Sequence, residues 1–244
     1  MKNTPVDPAR TRWVYIGGMA VVVFLLILAA TLLPTRPHTP ARTGDALQVD
    51  PDQKEIRIAS VAHPSRFKRT GMPGYHFLVW GKGRAAGNAL FTTPVDDRAV
   101  HAALVRIGAL PGNALGMDTW EARSDSNNSA PDKQIEGSPV RIALLWGDRN
   151  RLTPLADLLQ DPAGRGFDFR FGGHADNIPI WKSGCVVCLY SCPGAKIGNA
   201  AYTIRDYVNK TTAFRIREDR FPPDGTPVTL VFRLVQPPTG APAD

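Results

Sequence analysis

The sequence predicts an α+β fold: a β-rich domain with a few short helices, carried behind a single N-terminal transmembrane helix. Three observations predict it. An uncharged apolar run extends from Trp13 to Leu33, short β-branched runs recur between Gly, Pro and Asp, and one amphipathic stretch occupies Val95–Gly108. The 22 prolines and 22 glycines among 244 residues, set against 8% aromatics, imply many turns and exclude a bundle of long helices. With 43% hydrophobic residues the chain can bury a core.

The first twelve residues form a short tail. From Trp13 to Leu33 the chain reads WVYIGGMAVVVFLLILAATLL. As a helix it covers about 30 Å, the thickness of a hydrocarbon core. Trp13 and Tyr15 sit where an interfacial aromatic belt would, and Pro34 stops the helix at the other end. A cleaved signal peptide has a shorter apolar region, and a buried core helix would show a polar face, so a retained single-pass anchor is expected. Lys2, Arg10 and Arg12 precede the span, while Arg36, Arg42 and Lys54 follow it. The positive-inside rule then puts the tail in the cytoplasm of a bacterial inner membrane and the large domain in the periplasm. Arg10-Thr11-Arg12 is not an adjacent arginine pair, so twin-arginine export is not indicated, and the domain is expected to cross unfolded and empty.

Residues 34–47 form a Pro/Thr-rich linker, residues 48–235 the β-rich domain, and residues 236–244 a tail too poor in apolar side chains to pack. Strands are expected at Glu55–Ala62, Tyr75–Trp80, Val140–Trp146, Phe167–Phe171, Thr211–Ile216 and Val228–Leu234. In Val95–Gly108, Asp96 or Asp97 can cap a helix, Val100, Leu104 and Ile107 recur on one face, and Gly108 can end it. Pro154–Leu159 and Ala200–Val208 are shorter helix candidates, and Glu121–Glu136 reads as a surface loop. Gly81–Gly87 (GKGRAAG) resembles a phosphate loop only superficially, lacking the closing Gly-Lys-Ser/Thr, and reads as a hairpin turn.

The net charge of +7 does not mark a nucleic-acid binder. Residues 1–36 hold Lys2, Arg10, Arg12 and Arg36 against Asp7, leaving 25 basic and 21 acidic residues elsewhere with no basic stripe. No nucleophile elbow, zinc-protease motif or dinucleotide fingerprint is present, so no positive case for an enzyme arises.

The chemistry is concentrated in residues 181–199, WKSGCVVCLYSCPGAKIGN. Cys185, Cys188 and Cys192 are the only cysteines, spaced C-x2-C-x3-C and followed by Pro193. Bacterial ferredoxins hold iron–sulfur clusters with C-x2-C-x2-C-x3-C-P, and this segment matches the last three cysteines and the proline. Lys182 stands where the first cysteine would be, so a cluster needs a fourth ligand from His174, Asp176 or an external donor. Three thiolates, or two with His174, would equally suit zinc or cuprous copper. Thiol–disulfide exchange through Cys185 and Cys188, with Cys192 resolving, is a further reading. The plainest reading has no cofactor at all: three small apolar side chains in a buried strand. His101 reads as a half-buried helix residue, and His63 and His76 have no spaced partner.

The succession VDDRAVHAALVRIGALPG (Val95–Gly112), SPVRIALLW (Ser138–Trp146), FRFGG (Phe169–Gly173) and GTPVTLVFRL (Gly225–Leu234) resembles the YdjY-domain family. The resemblance covers most of residues 48–235 and implies the same β-rich domain. It also implies a ferredoxin-like label for the cysteine segment, resting on the same incomplete pattern, and no established reaction. The expected function is a membrane-anchored electron-transfer or metal-binding accessory component acting beside a membrane-associated redox or assembly partner. The rivals are a binding or structural module and a thiol–disulfide oxidoreductase.

Overall fold

The computed structural model describes residues 46–68, 74–124, 132–147 and 151–235. The anchor at Trp13–Leu33, the linker before Ala46 and the tail after Val235 lie outside them. Among the described residues no helix is long and apolar enough to cross a membrane.

Short strands dominate because β-branched and aromatic residues alternate between turn residues. In chain order they are β1 (Leu47–Asp50), β2 (Glu55–Ala62), β3 (His76–Trp80), β4 (Phe91–Thr93), β5 (Val140–Trp146), β6 (Thr153–Pro154), β7 (Leu159–Gln160), β8 (Phe169–Phe171), β9 (Cys185–Cys188), β10 (Ile197–Asn199), β11 (Arg215–Ile216) and β12 (Pro227–Leu234). The described helices are α1 (Pro64–Lys68), α2 (Asp97–Arg106), α3 (Met117–Glu121), α4 (Ile178–Trp181) and α5 (Ile204–Val208), with a few 3-10 turns. The domain is therefore mixed and β-rich, as expected.

The main sheet runs β6-β5-β12-β2-β4-β3-β9-β10-β8, with β1 added to β2. A bridge between Pro139 and Arg170, beside a Phe171 N–H bond to Ser138 O at 2.9 Å, brings the β8 end back to the start of β5. The sheet thus curls around an interior filled by side chains such as Ile56, Ile58, Leu78, Leu104, Phe171 and Phe232. On β2 the side chains facing this core, Ile56, Ile58 and Ala62, are inaccessible to solvent, which is why its alternating pattern was legible. Glu55 at its start is also buried, held by Arg57 Nε at 2.7 Å and Arg233 Nε at 3.0 Å.

Helix α2 begins where Asp96 accepts from the Arg98 N–H at 2.8 Å, and it buries Val100, Ala103 and Leu104. Three expectations are corrected. Pro154–Leu159 is not a helix but a 3-10 turn at Leu155–Asp157 between two-residue strands, since backbone pairing to β5 and β11 outcompetes one short amphipathic turn. Thr211–Ile216 contributes only Arg215–Ile216 to a strand. Gly81–Gly87 is not a hairpin turn, because β3 and β4 are parallel and the segment must carry the chain back along the sheet.

Candidate functional site

Strand β9 lies inside the sheet between β3 and β10, antiparallel to the first and parallel to the second. In a regular strand residues three apart point to opposite faces, which would separate Cys185 from Cys188. The register between β3 and β9 shifts twice, pairing His76 with Cys188, Leu78 with Val187 and Val79 with Cys185. Cys185 Sγ lies 3.5 Å from Val187 O, and the pull of Cys188 on the acidity of the Cys185 thiol marks the two as neighbours. All three side chains are buried, at 1%, 0% and 4% exposure.

Cys192 reaches the others through a tightly held turn. The Ala195 N–H donates to Cys192 O at 3.1 Å, and the Asn177 side-chain amide donates to Pro193 O at 2.8 Å. The chain entering β9 is held by the former phosphate-loop candidate. Arg84 N donates to Lys182 O and Ala85 N to Ser183 O, both at 3.1 Å, and Trp80 N donates to Gly184 O at 2.8 Å. Gly83 lies so close to this segment that a Cβ there would fall 2.3 Å from Ser183 O and 2.6 Å from Gly184 Cα. Gly83 of GKGRAAG thus serves backbone approach to the cysteine strand.

The fourth side chain at the thiols is His76, whose Nδ1 lies 3.4 Å from Cys185 Sγ. It is buried on β3, with the Tyr75 ring 4.0 Å away by centroid. Sequence reasoning passed over His76 because the two residues are 109 positions apart, and only the β3–β9 pairing joins them. Of the fourth-ligand candidates, His174 is buried, but both ring nitrogens face backbone groups: Nε2 accepts from Leu115 N at 3.4 Å and Nδ1 lies 3.1 Å from Ala195 O. Asp176 and Lys182 are exposed. His101 is half-buried in α2 with its ring 5.2 Å from that of Phe171.

The electrostatics single out one sulfur. The neighbouring Cys188 thiol pulls the Cys185 thiol below its ordinary value against the opposing effect of burial, with help from His76 and then from the charge on Lys196. Cys188 is pushed up by burial and by the two flanking thiols, so it is the protonated member. Tyr75 is raised by burial and stays a neutral phenol.

Three thiols and an imidazole are the Cys3His donor set of a tetrahedral soft ion. Among the described residues no group of three or more His, Cys, Asp or Glu side chains is placed to hold a metal ion.

The YdjY domain model matches residues 47–233. The protein named "Uncharacterized protein YdjY" from Escherichia coli (strain K12) is 27% identical over 162 residues, 66% of this chain and 68% of that protein. No solved structure matches.

Proposed function

The chain belongs to the YdjY domain family, and from that premise we propose that it is a membrane-anchored redox or metal-binding component whose centre is held by Cys185, Cys188, Cys192 and His76. The observation that carries the reading is the burial of three thiols on β9 and the turn that follows it, with an imidazole 3.4 Å from Cys185. Such a centre supplies a soft electrophile and, where it is copper or iron–sulfur, one-electron chemistry. The chain's own residues supply the thiolate at Cys185, the strand and turn that carry the sulfurs, and a closed apolar surround that excludes water. The span at Trp13–Leu33 would hold the domain on the periplasmic side of a bacterial inner membrane and concentrate it near a membrane-associated redox or assembly partner.

The C-x2-C spacing of Cys185 and Cys188, both buried on β9, favours a second reading, reversible disulfide chemistry between these two. Burial of all three thiols weighs against it, because exchange requires a partner thiol to reach sulfur.

The test is metal content, acid-labile sulfide and visible spectrum of the detergent-solubilised full-length protein purified without oxygen, beside Cys188→Ser. Bound metal in the parent and its loss in the variant are expected. Iron with sulfide would identify a cluster, and zinc or copper without sulfide a single ion. A metal-free protein carrying a Cys185–Cys188 disulfide would overturn the reading in favour of thiol exchange.

A further inference from the structure

A cleft of about 560 Å3 opens between α1, β4 and the loop 81–87, and none of the cysteines lines it. Its size falls in the roughly 300–1,000 Å3 range of small-molecule sites. The polar side chains in it are His63, Arg66 and Thr92, all half-buried. Backbone pairing fixes where each stands. Val61 on β2 pairs with Thr92 on β4, the His63 N–H donates to Leu90 O at 2.7 Å, and the Arg66 N–H donates to His63 O at 3.1 Å. His63 Nε2 and Thr92 Oγ1 are hydrogen-bonded at 2.8 Å. With its proton on Nε2 the imidazole donates to Thr92, which leaves the hydroxyl proton for a ligand. Arg66 donates from Nη1 to Ala86 O at 3.1 Å and, among the described residues, has no carboxylate within ion-pair distance. No acidic side chain lines the cleft. Asp224, whose charge reaches His63, is engaged by Ser65, accepting from its N–H at 3.2 Å and its hydroxyl at 3.0 Å. Loop 81–87 adds Lys82 and Arg84, both exposed, and a Cβ on its Gly87 would meet nothing within 4 Å.

We infer that this cleft binds a phosphomonoester, held by Arg66 and Thr92 with His63 orienting the hydroxyl. A guanidinium in a cleft without a carboxylate is satisfied by an anionic ligand, and its planar fork takes two oxygens at once. The Thr92 hydroxyl takes a third. A phosphomonoester offers three terminal acceptor oxygens, whereas a carboxylate has two. The organic part of the ester occupies the remaining volume, in the open space over Gly87. Lys82 and Arg84 draw the anion toward the opening. The glycine loop therefore serves the ligand without the nitrogen cradle of a phosphate loop: it leaves room, and side chains of α1 and β4 do the holding. None of these residues belongs to the cysteine site, so the inference stands or falls independently of the metal-binding reading.

The experiment is isothermal titration calorimetry of the full-length protein in detergent and phosphate-free buffer, with phenyl phosphate as the probe. Benzoate keeps the ring but presents a carboxylate, and dihexanoyl phosphatidic acid presents the phosphomonoester as a lipid headgroup. The chains compared are the parent, Arg66→Met, Thr92→Val and Gly87→Leu, each checked by thermal melting. Gly87→Leu fills the cleft from a position whose Cβ meets no neighbour, so it keeps a folded chain in hand if Arg66→Met does not fold. The expected result is one phenyl phosphate per chain, bound about ten- to hundredfold more weakly by Arg66→Met, about tenfold more weakly by Thr92→Val and not detectably by Gly87→Leu. Benzoate should bind the parent at least about tenfold more weakly than phenyl phosphate does. Tighter binding of dihexanoyl phosphatidic acid than of phenyl phosphate, lost in Arg66→Met, would support the site and assign its ligand to a lipid, and weaker binding would support a soluble ester. No binding of phenyl phosphate by the parent, or an affinity unchanged in Arg66→Met and Gly87→Leu, would overturn the site. Benzoate bound as tightly as phenyl phosphate would overturn the phosphomonoester class.

Discussion

Replacing Gly83 by alanine tests whether the glycine loop is the backstop of the cysteine strand. The added Cβ would stand 2.3 Å from Ser183 O, 2.6 Å from Gly184 Cα and 2.8 Å from Gly184 N, all of them backbone atoms that cannot rotate away. Reaching ordinary contact requires the two segments to separate by about 1 Å, which stretches the Arg84 N–Lys182 O and Ala85 N–Ser183 O bonds beyond useful length. Two such bonds contribute about 1 kcal/mol each and overpacking adds about 1–3 kcal/mol, so a loss of about 3–5 kcal/mol is expected. Urea unfolding of the full-length protein in detergent, followed by tryptophan fluorescence, measures it. Gly87→Ala in the same loop is the control, since nothing lies within 4 Å of its Cβ, and a change within about 0.5 kcal/mol is expected there. Equal stability of the two variants would refute the claim that close backbone approach is what residue 83 provides.

Other outcomes follow from the same structure. His76→Phe removes the imidazole beside Cys185, so the thiolate absorbance of the metal-free protein at neutral pH should fall, and a spectrum identical to the parent's would remove His76 from the site. Burial alone would raise the Asp161 carboxyl, but hydrogen bonds from Tyr202, Gly166, Thr212 and Ala163 outweigh it and hold the group below its ordinary 3.8. A depressed folded value means that this stabilisation is full above 3.8 and is lost as pH falls through the folded value. Asp161→Asn should therefore cost about 2 kcal/mol at neutral pH and flatten the acid limb of the stability curve, as pH-dependent urea melts would show. Deleting residues 1–36 should move the protein from the membrane to the soluble fraction on ultracentrifugation, and retention in the pellet would argue against an anchor at Trp13–Leu33.

Strands whose two faces differ were legible from sequence. Glu55–Ala62 and Val140–Trp146 form over the predicted residues, and the closing strand differs by one residue, because alternation records which side chains enter the core. The helix at Val95–Gly108 was legible for the same reason, with an aspartate cap and a buried face. What was not legible depended on contacts distant in sequence. Leu155, Leu158 and Leu159 are buried as a helix would bury them, yet pairing of the flanking residues with β5 and β11 dictates a 3-10 turn. The cysteine spacing marked the segment, but the register shifts around Cys185 and Cys188 arise in the pairing of β9 with β3. His76 joins Cys185 through the neighbouring strand β3 and lies in no motif. His174 is near the cysteines in sequence and buried, which made it the natural candidate, but its nitrogens are engaged by the backbone of Leu115 and Ala195.

The central claim concerns the ligand set, and X-ray absorption at the edge of whatever metal copurifies with the full-length protein tests it most directly. The account predicts a first shell of three sulfurs and one nitrogen, with metal–sulfur distances of about 2.3 Å, and loss of the nitrogen contribution in His76→Phe. A shell built from nitrogen and oxygen alone, or one that keeps its nitrogen in His76→Phe, would contradict it.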